Sequence, residues 1–326
     1  MALASPISVS LREVFVSEAS MPAAPTAGAT KPKNKGAWRK FLSSPALVFL
    51  IIMTQVPFVM TIYFSFTNWN LLRPNSRGFL GWDQMFRNYG RILTNPDFYT
   101  VLRHTVTLTL SVVVVTFVFG MMFALLLNRP FLGRGLARTF LISPFLVMPV
   151  AAAVLWKNVM LDPSFGFSAF LMRSVGLRSV YLVEEAPMVS IVGIVSWQWT
   201  PFVMLILLAG LQSLPSSTVE AARIDGAGPL LQFRYITLPH LRRFIEIALL
   251  LEIIFILNVF GHIFVVTTGG PGIQTTNLPY QIFLEAFSRW NVGRASAYGL
   301  FAIVLANIAV VFFLQIVRRQ RKEELA

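Results

Sequence analysis

Apolar residues in this chain gather into six long runs, at approximately 45–66, 104–127, 139–156, 188–211, 244–267 and 295–316. The second holds no charged residue from 105 to 128 and the last none from 295 to 317, which is long enough for a helix to cross hydrocarbon. The first run opens with Ser44 and Pro45, a plausible cap and first-turn proline, and leads into Tyr63 and Trp69 at the expected aromatic belt. The third covers about 18 residues and contains Pro144 and Pro149. Prolines in a spanning helix free backbone carbonyls that other helices must satisfy, so this segment is expected to be packed against protein. The pattern predicts an all-α membrane protein with six transmembrane helices.

Composition supports that reading. Of 326 residues, 56% are apolar and only 13% charged, against about 25% charged in an average soluble domain. The absence of cysteine excludes disulfides and thiolate metal sites, and the scattered His104, His240 and His262 do not suggest a metal centre. The net charge of +13 raises the question of nucleic acid, but the basic residues sit between apolar runs and not on a polar face.

Their distribution instead predicts orientation. With both ends on one side of the membrane, 17 of the 27 Lys and Arg fall in the N-terminal tail, the 128–138 and 212–243 loops and the C-terminal end. Basic residues concentrate in cytoplasmic segments, so both termini are expected in the cytoplasm. Residues 1–40, rich in Ala, Ser, Pro and Thr before a basic stretch, read as a disordered tail, and 41–326 as the membrane domain.

The 212–243 connection, QSLPSSTVEAARIDGAGPLLQFRYITLPHLRR, is longer than most loops here. Ser217 followed three residues later by Glu220 reads as a capping box. Glu220, Ala221, Ala222 and Arg223 would form a short helix, ended by Gly226 because glycine accepts the left-handed C-cap conformation. Gly228 and Pro229 would start a second short helix that must stop before Pro239. Read from residues alone, this helix–turn–helix either docks a partner through its small alanines or merely covers the bundle.

Resemblance adds to the residues. Glu220, Ala221 and Ala222, then Gly226, then Ile236, Leu238 and Pro239 resemble the EAA loop of bacterial ABC import permeases. Similarity to the sugar-permease branch extends through Trp197 to Pro201 (WQWTP), 209–212 (AGLQ), Pro215, Asp225 to Ala227 (DGA) and Thr268 to Pro271 (TGGP). Fainter matches occur at Asn88 and Tyr89, at 95–98 and at Arg138 with Pro144, so the likeness covers roughly 40–317. The GGP motif and basic ending look like a maltose-type first permease subunit, and the 275–280 stretch (TTNLPY) looks like polyol permeases. Arg243 departs from the pattern near a position where the family commonly carries another proline.

The resemblance implies a six-helix bundle of the ABC importer type I kind, with its core at about 101–317 and a cytoplasmic coupling loop at 212–243. It implies that Glu220, Ala221, Ala222, Asp225, Gly226, Ile236, Leu238 and Pro239 engage a separate ATPase. It further implies a second, different permease chain, two ATPase subunits, an external solute-binding protein and a sugar or polyol substrate, all in the inner membrane with no cofactor, metal or nucleic acid. The chain contains no Gly-x-x-x-x-Gly-Lys-Ser/Thr pattern, so it is not expected to hydrolyse ATP by that machinery.

Polar groups inside spanning helices usually face a cavity or another helix. Candidates for a substrate path are Trp197, Gln198 and Trp199 on the fourth run and Glu252, Asn258 and His262 on the fifth. Asn258 and His262, four apart, would share a helix face. The alternative for each is structural: interfacial packing for the tryptophans, a helix–helix hydrogen bond for Asn258 and His262, and a basic partner for Glu252. Glu246 reads as paired with Arg242 or Arg243. An ion-coupled secondary transporter is the competing function. It would call for internal repeats and more intramembrane carboxylates than Glu246 and Glu252.

Overall fold

The computed structural model describes residues 35–324 except Arg77 and Asp83. Of the expected tail at 1–40, residues 1–34 lie outside the described residues. The chain divides into two compact units, 1–56 and 57–326.

In the first unit, residues 35–56 belong to helix α1 (Lys35–Ser65), whose apolar side chains Leu47, Phe49 and Met53 are exposed. Ser44 and Pro45 do not begin this helix, contrary to expectation. Ala37, Lys40 and Leu42 are good helix formers, and they extend it back to Lys35, inside the segment read as tail.

The second unit is also helical. After the end of α1 come α2 (Arg87–Leu93) and α3 (Pro96–Asn128). These are followed by α4 (Arg134–Leu146), α5 (Pro149–Leu155), α6 (Phe167–Ser174), α7 (Leu182–Glu185) and α8 (Pro187–Gln212). Beyond α8 lie α9 (Ser216–Ile224), α10 (Pro229–Gln232), α11 (Leu238–Ile256), α12 (Gly261–Val266), α13 (Leu278–Phe283) and α14 (Val292–Glu324).

Among the described residues, four helices are individually long and apolar enough to cross a membrane: Ser44–Ser65, Pro96–Asn128, Pro187–Gln212 and Val292–Gln315. The third predicted span is two helices, Arg134–Leu146 and Pro149–Met160, bent by 103°. Pro149 opens the second of these, and the break falls at Val147 and Met148. The fifth predicted span is also interrupted, because α11 ends at Ile256 and α12 starts at Gly261. Arg242, Arg243, Glu246 and Glu252 make α11 too charged for an uninterrupted apolar crossing.

Packing centres on α8, which lies between α3 and α11. A Cβ on Gly120 would sit 3.0 Å from a Val203 methyl carbon, and one on Gly210 would sit 2.7 Å from Leu241 and Phe244. These two glycines let the helices approach closely, as small residues do in membrane bundles. One core cluster includes Leu127, Val203, Leu207 and Leu241; a second includes Leu108, Ile194, Ile256 and Ile263. Asn88 on α2 donates to the carbonyls of Ser65 and Thr67, each at 2.8 Å, and so closes the C-terminal end of α1.

Candidate functional site

The loop singled out by the sequence folds into a short exposed helix with a closed end. No residue of α9 is buried, and Ile224 is 87% exposed. The helix starts two residues earlier than the capping-box reading requires. Pro215 occupies the N-cap and makes no side-chain cap bond, so Ser217 lies within the first turn and the Ser217–Glu220 box does not form.

The other end matches expectation. Gly226 has φ +81, in the left-handed region. Its amide donates to Arg223 O at 3.1 Å, and the amide of Ala227 donates to Ala222 O at 2.9 Å. This pair of bonds is a Schellman closure, which satisfies carbonyls that the helix end would leave free. Asp225 is the C-cap residue, and Glu220 and Ala221 are exposed on the helix, with Ala222 half-buried.

The second helical piece does not stop before Pro239. A π-turn over Phe233–Thr237 joins α10 to α11, with the Leu238 amide donating to Phe233 O. The wider turn lets the helical path continue into Pro239, which has no amide hydrogen to donate. Ile236 lies half-buried in this turn, and Leu238 and Pro239 are exposed at the start of α11. These three residues therefore belong to the re-entry helix and not to α9.

Two residues outside the motif fasten the loop at its membrane end. His240 Nε2 lies 2.9 Å from Ser213 Oγ and 3.1 Å from Gly210 O, joining the end of α8 to the start of α11. Their positions at the two junctions were the available sequence signal. Gln232 Nε2 donates to Ala227 O at 2.6 Å and braces the intervening turn, while Arg242 pairs with Glu246 at 3.2 Å.

Of the six substrate-path candidates, only Gln198 and His262 are brought together. Gln198 Nε2 donates to Val147 O at 2.5 Å, taking up the carbonyl freed at the bend between α4 and α5. Its Oε1 lies 2.6 Å from His262 Nε2, which must carry the ring proton because the amide oxygen can only accept. Both side chains are buried, Gln198 at 4% exposure and His262 at 2%. Glu252 is fully buried and its Oε1 accepts from Thr116 Oγ1 at 2.5 Å.

Asn258 and His262 do not share a face. The inference assumed an unbroken helix, whereas Asn258 lies in the interruption, exposed, with its amide donating back to Ile254 O at 2.8 Å. Trp199 stacks on Phe255 with centroids 5.1 Å apart, and Trp197 meets Trp156 edge-on at 5.6 Å. Trp197 also borders an apolar cavity of about 420 Å³ with Phe119, Phe140 and Ser196.

The interruption after α11 has its own clasp, which the sequence reading missed. Asn277 Nδ2 donates to Val259 O at 2.6 Å, and Lys157 Nζ donates to Val265 O at 3.0 Å. Asn277 stood in the TTNLPY stretch, noted only for its resemblance to polyol permeases.

The model of the binding-protein-dependent transport system inner membrane component family matches residues 118–322, which contain α9 and the whole of both broken spans. The chain belongs to this family. It is therefore a permease, a non-catalytic inner-membrane subunit of an ABC importer, and ATP hydrolysis belongs to a separate subunit. The secondary-transporter alternative falls away.

The permease is 36% identical over 278 residues to the probable ABC transporter permease protein y4oQ of Sinorhizobium fredii, covering 85% of this chain and 86% of that one. It is 33% identical to the trehalose/maltose transport system permease protein MalF of Thermococcus litoralis, over 85% of this chain and 92% of the relative. A bacterial alginate ABC transporter, solved in complex with an alginate pentasaccharide-bound periplasmic protein, contains a chain that shares the fold. The TM-score is 0.74 at 22% identity, over 89% of this chain and 98% of that one.

Proposed function

We propose that this permease imports a sugar or polyol, working with a second permease chain, two ATPase subunits and an external solute-binding protein. The trehalose/maltose relative supports the substrate class. In this reading both termini and α9 face the cytoplasm, as the placement of Lys and Arg suggests.

The observation that carries the reading is the Schellman-closed α9, none of whose residues is buried, held to the bundle through His240, Ser213 and Gly210. A short helix with satisfied ends transmits a rigid-body displacement without absorbing it. Glu220, Ala221, Ala222, Asp225 and Gly226 form the docking knob; Ile236, Leu238 and Pro239 pass its motion into α11. On the substrate side, the reading narrows to Trp199, Phe255 and Asn258: a stacked aromatic pair, with an exposed amide three residues along the chain. Gln198, His262 and Glu252 hold the helices in place.

The test is uptake by inside-sealed vesicles carrying the assembled importer. Uptake of a labelled disaccharide or polyol is expected only with ATP inside and the solute-binding protein outside. Uptake driven by an ion gradient without ATP would overturn the reading.

A further inference from the structure

At the end of α3, Asn128 and Arg129 form one wall of an open groove of about 1180 Å³. Arg223 of α9, Leu230 and Phe233 of the α10 region and Leu125 of α3 also line it. No acidic residue lines the groove, and among the described residues neither guanidinium is in an ion pair.

The depth of the groove follows from the sequence of α3. The helix carries no charge from Thr105 to Asn128, and Arg129 is the first charged residue after it. The groove therefore lies where hydrocarbon gives way to headgroups. Its lining is amphiphilic in the same sense, with leucine and phenylalanine beside two guanidinium groups. Guanidinium matches a phosphate in both charge and planar hydrogen-bonding geometry.

We infer that this groove holds the headgroup of an anionic phospholipid, with Arg129 and Arg223 on its phosphate and an acyl chain along Leu125. The lipid bridges the end of a spanning helix and the coupling helix, so the two move as one body only when it is bound. The inference relies on the proposed role of α9 for that consequence, but not for the binding itself.

Native mass spectrometry of the complete importer, titrated separately with phosphatidylglycerol and phosphatidylcholine, reads the binding without any transport assay. Phosphatidylglycerol is expected to be retained preferentially. R129Q and R223Q should each weaken it about fivefold, as expected for one basic residue at a membrane surface, and R129K and R223K should keep most of it. Equal retention of the two lipids by the unaltered importer would overturn the inference, as would undiminished phosphatidylglycerol retention in the R129Q/R223Q double variant. Retention seen only when the ATPase subunits are absent would also overturn it, because the groove would then belong to the subunit interface. Loss of lipid retention with unchanged uptake in the R129Q/R223Q variant would count against the role of α9 and leave the lipid site standing.

Discussion

Gln198 accepts a hydrogen bond from His262 and donates one to the Val147 carbonyl, so a single side chain on α8 joins both broken spans. Each break exposes backbone that has no water to turn to in a bilayer, and each is answered by an amide side chain: Gln198 at Val147 and Asn277 at Val259. The irregular backbone is thus paid for by polar residues buried within the protein.

Replacing Gln198 with leucine would leave the carbonyl of half-buried Val147 and the buried His262 ring N–H both unpaired. A loss of about 2–4 kcal/mol is expected, with roughly half that for His262→Leu, which orphans one acceptor. Thermal denaturation of the detergent-purified importer measures both. Equal, small effects from the two variants would show that the clasp does not hold the broken spans.

Thr116→Val removes the one hydrogen bond made by the buried Glu252 carboxyl, and about 1–3 kcal/mol should be lost. Replacing both partners, as in the Thr116→Val/Glu252→Met double variant, should be close to neutral, because no polar group then remains without a partner. A double-mutant cycle on the denaturation midpoint decides the point. Additive losses would mean that Glu252 has another role.

Gly210 and Gly193 offer a paired comparison on one helix. A methyl at Gly210 meets Leu241 and Phe244 at 2.7 Å, whereas one at Gly193 meets nothing within 4 Å. Gly210→Ala should cost about 1–3 kcal/mol through overpacking beneath the coupling loop, and Gly193→Ala should be tolerated. Indistinguishable denaturation midpoints would refute the close approach of α8 and α11.

A β-branched residue at Gly226 is strained at φ +81 and should open the Schellman closure, at a cost of about 1–3 kcal/mol. Gly226→Val is expected to insert and assemble, to retain basal ATPase activity and to lose at least tenfold in uptake, since about 1.4 kcal/mol of coupling is a factor of ten. Normal uptake per ATP hydrolysed would exclude Gly226 from the coupling path.

The sequence made the uncharged cores of α3 and α14 legible, and likewise the α9 stop at Gly226, because a charge-free run and a glycine C-cap each have few alternative readings. The interruptions were harder to see. Pro144 and Pro149 marked the first as a segment with freed carbonyls that needs protein partners, but not its 103° bend. Apart from Asn258, the residues from Leu257 to Phe260 are as apolar as those before them, and only Gly261 hinted at a second break; placing Asn258 and His262 on one face therefore went wrong. The capping box failed because Pro215 competed for the N-cap, a choice that local pattern does not rank. π-turns such as Phe233–Thr237 leave no periodic signature, so the route through Pro239 was invisible.

The account stands on α9 as the cytoplasmic handle for the ATPase, and Ala221→Cys tests it most directly, because the chain contains no other cysteine. A membrane-impermeant maleimide should label Cys at this position in the isolated permease from the cytoplasmic side only. In the importer with its ATPase subunits bound, that labelling should fall at least tenfold. Labelling from the outer face, or equal labelling with and without the ATPase subunits, would contradict it.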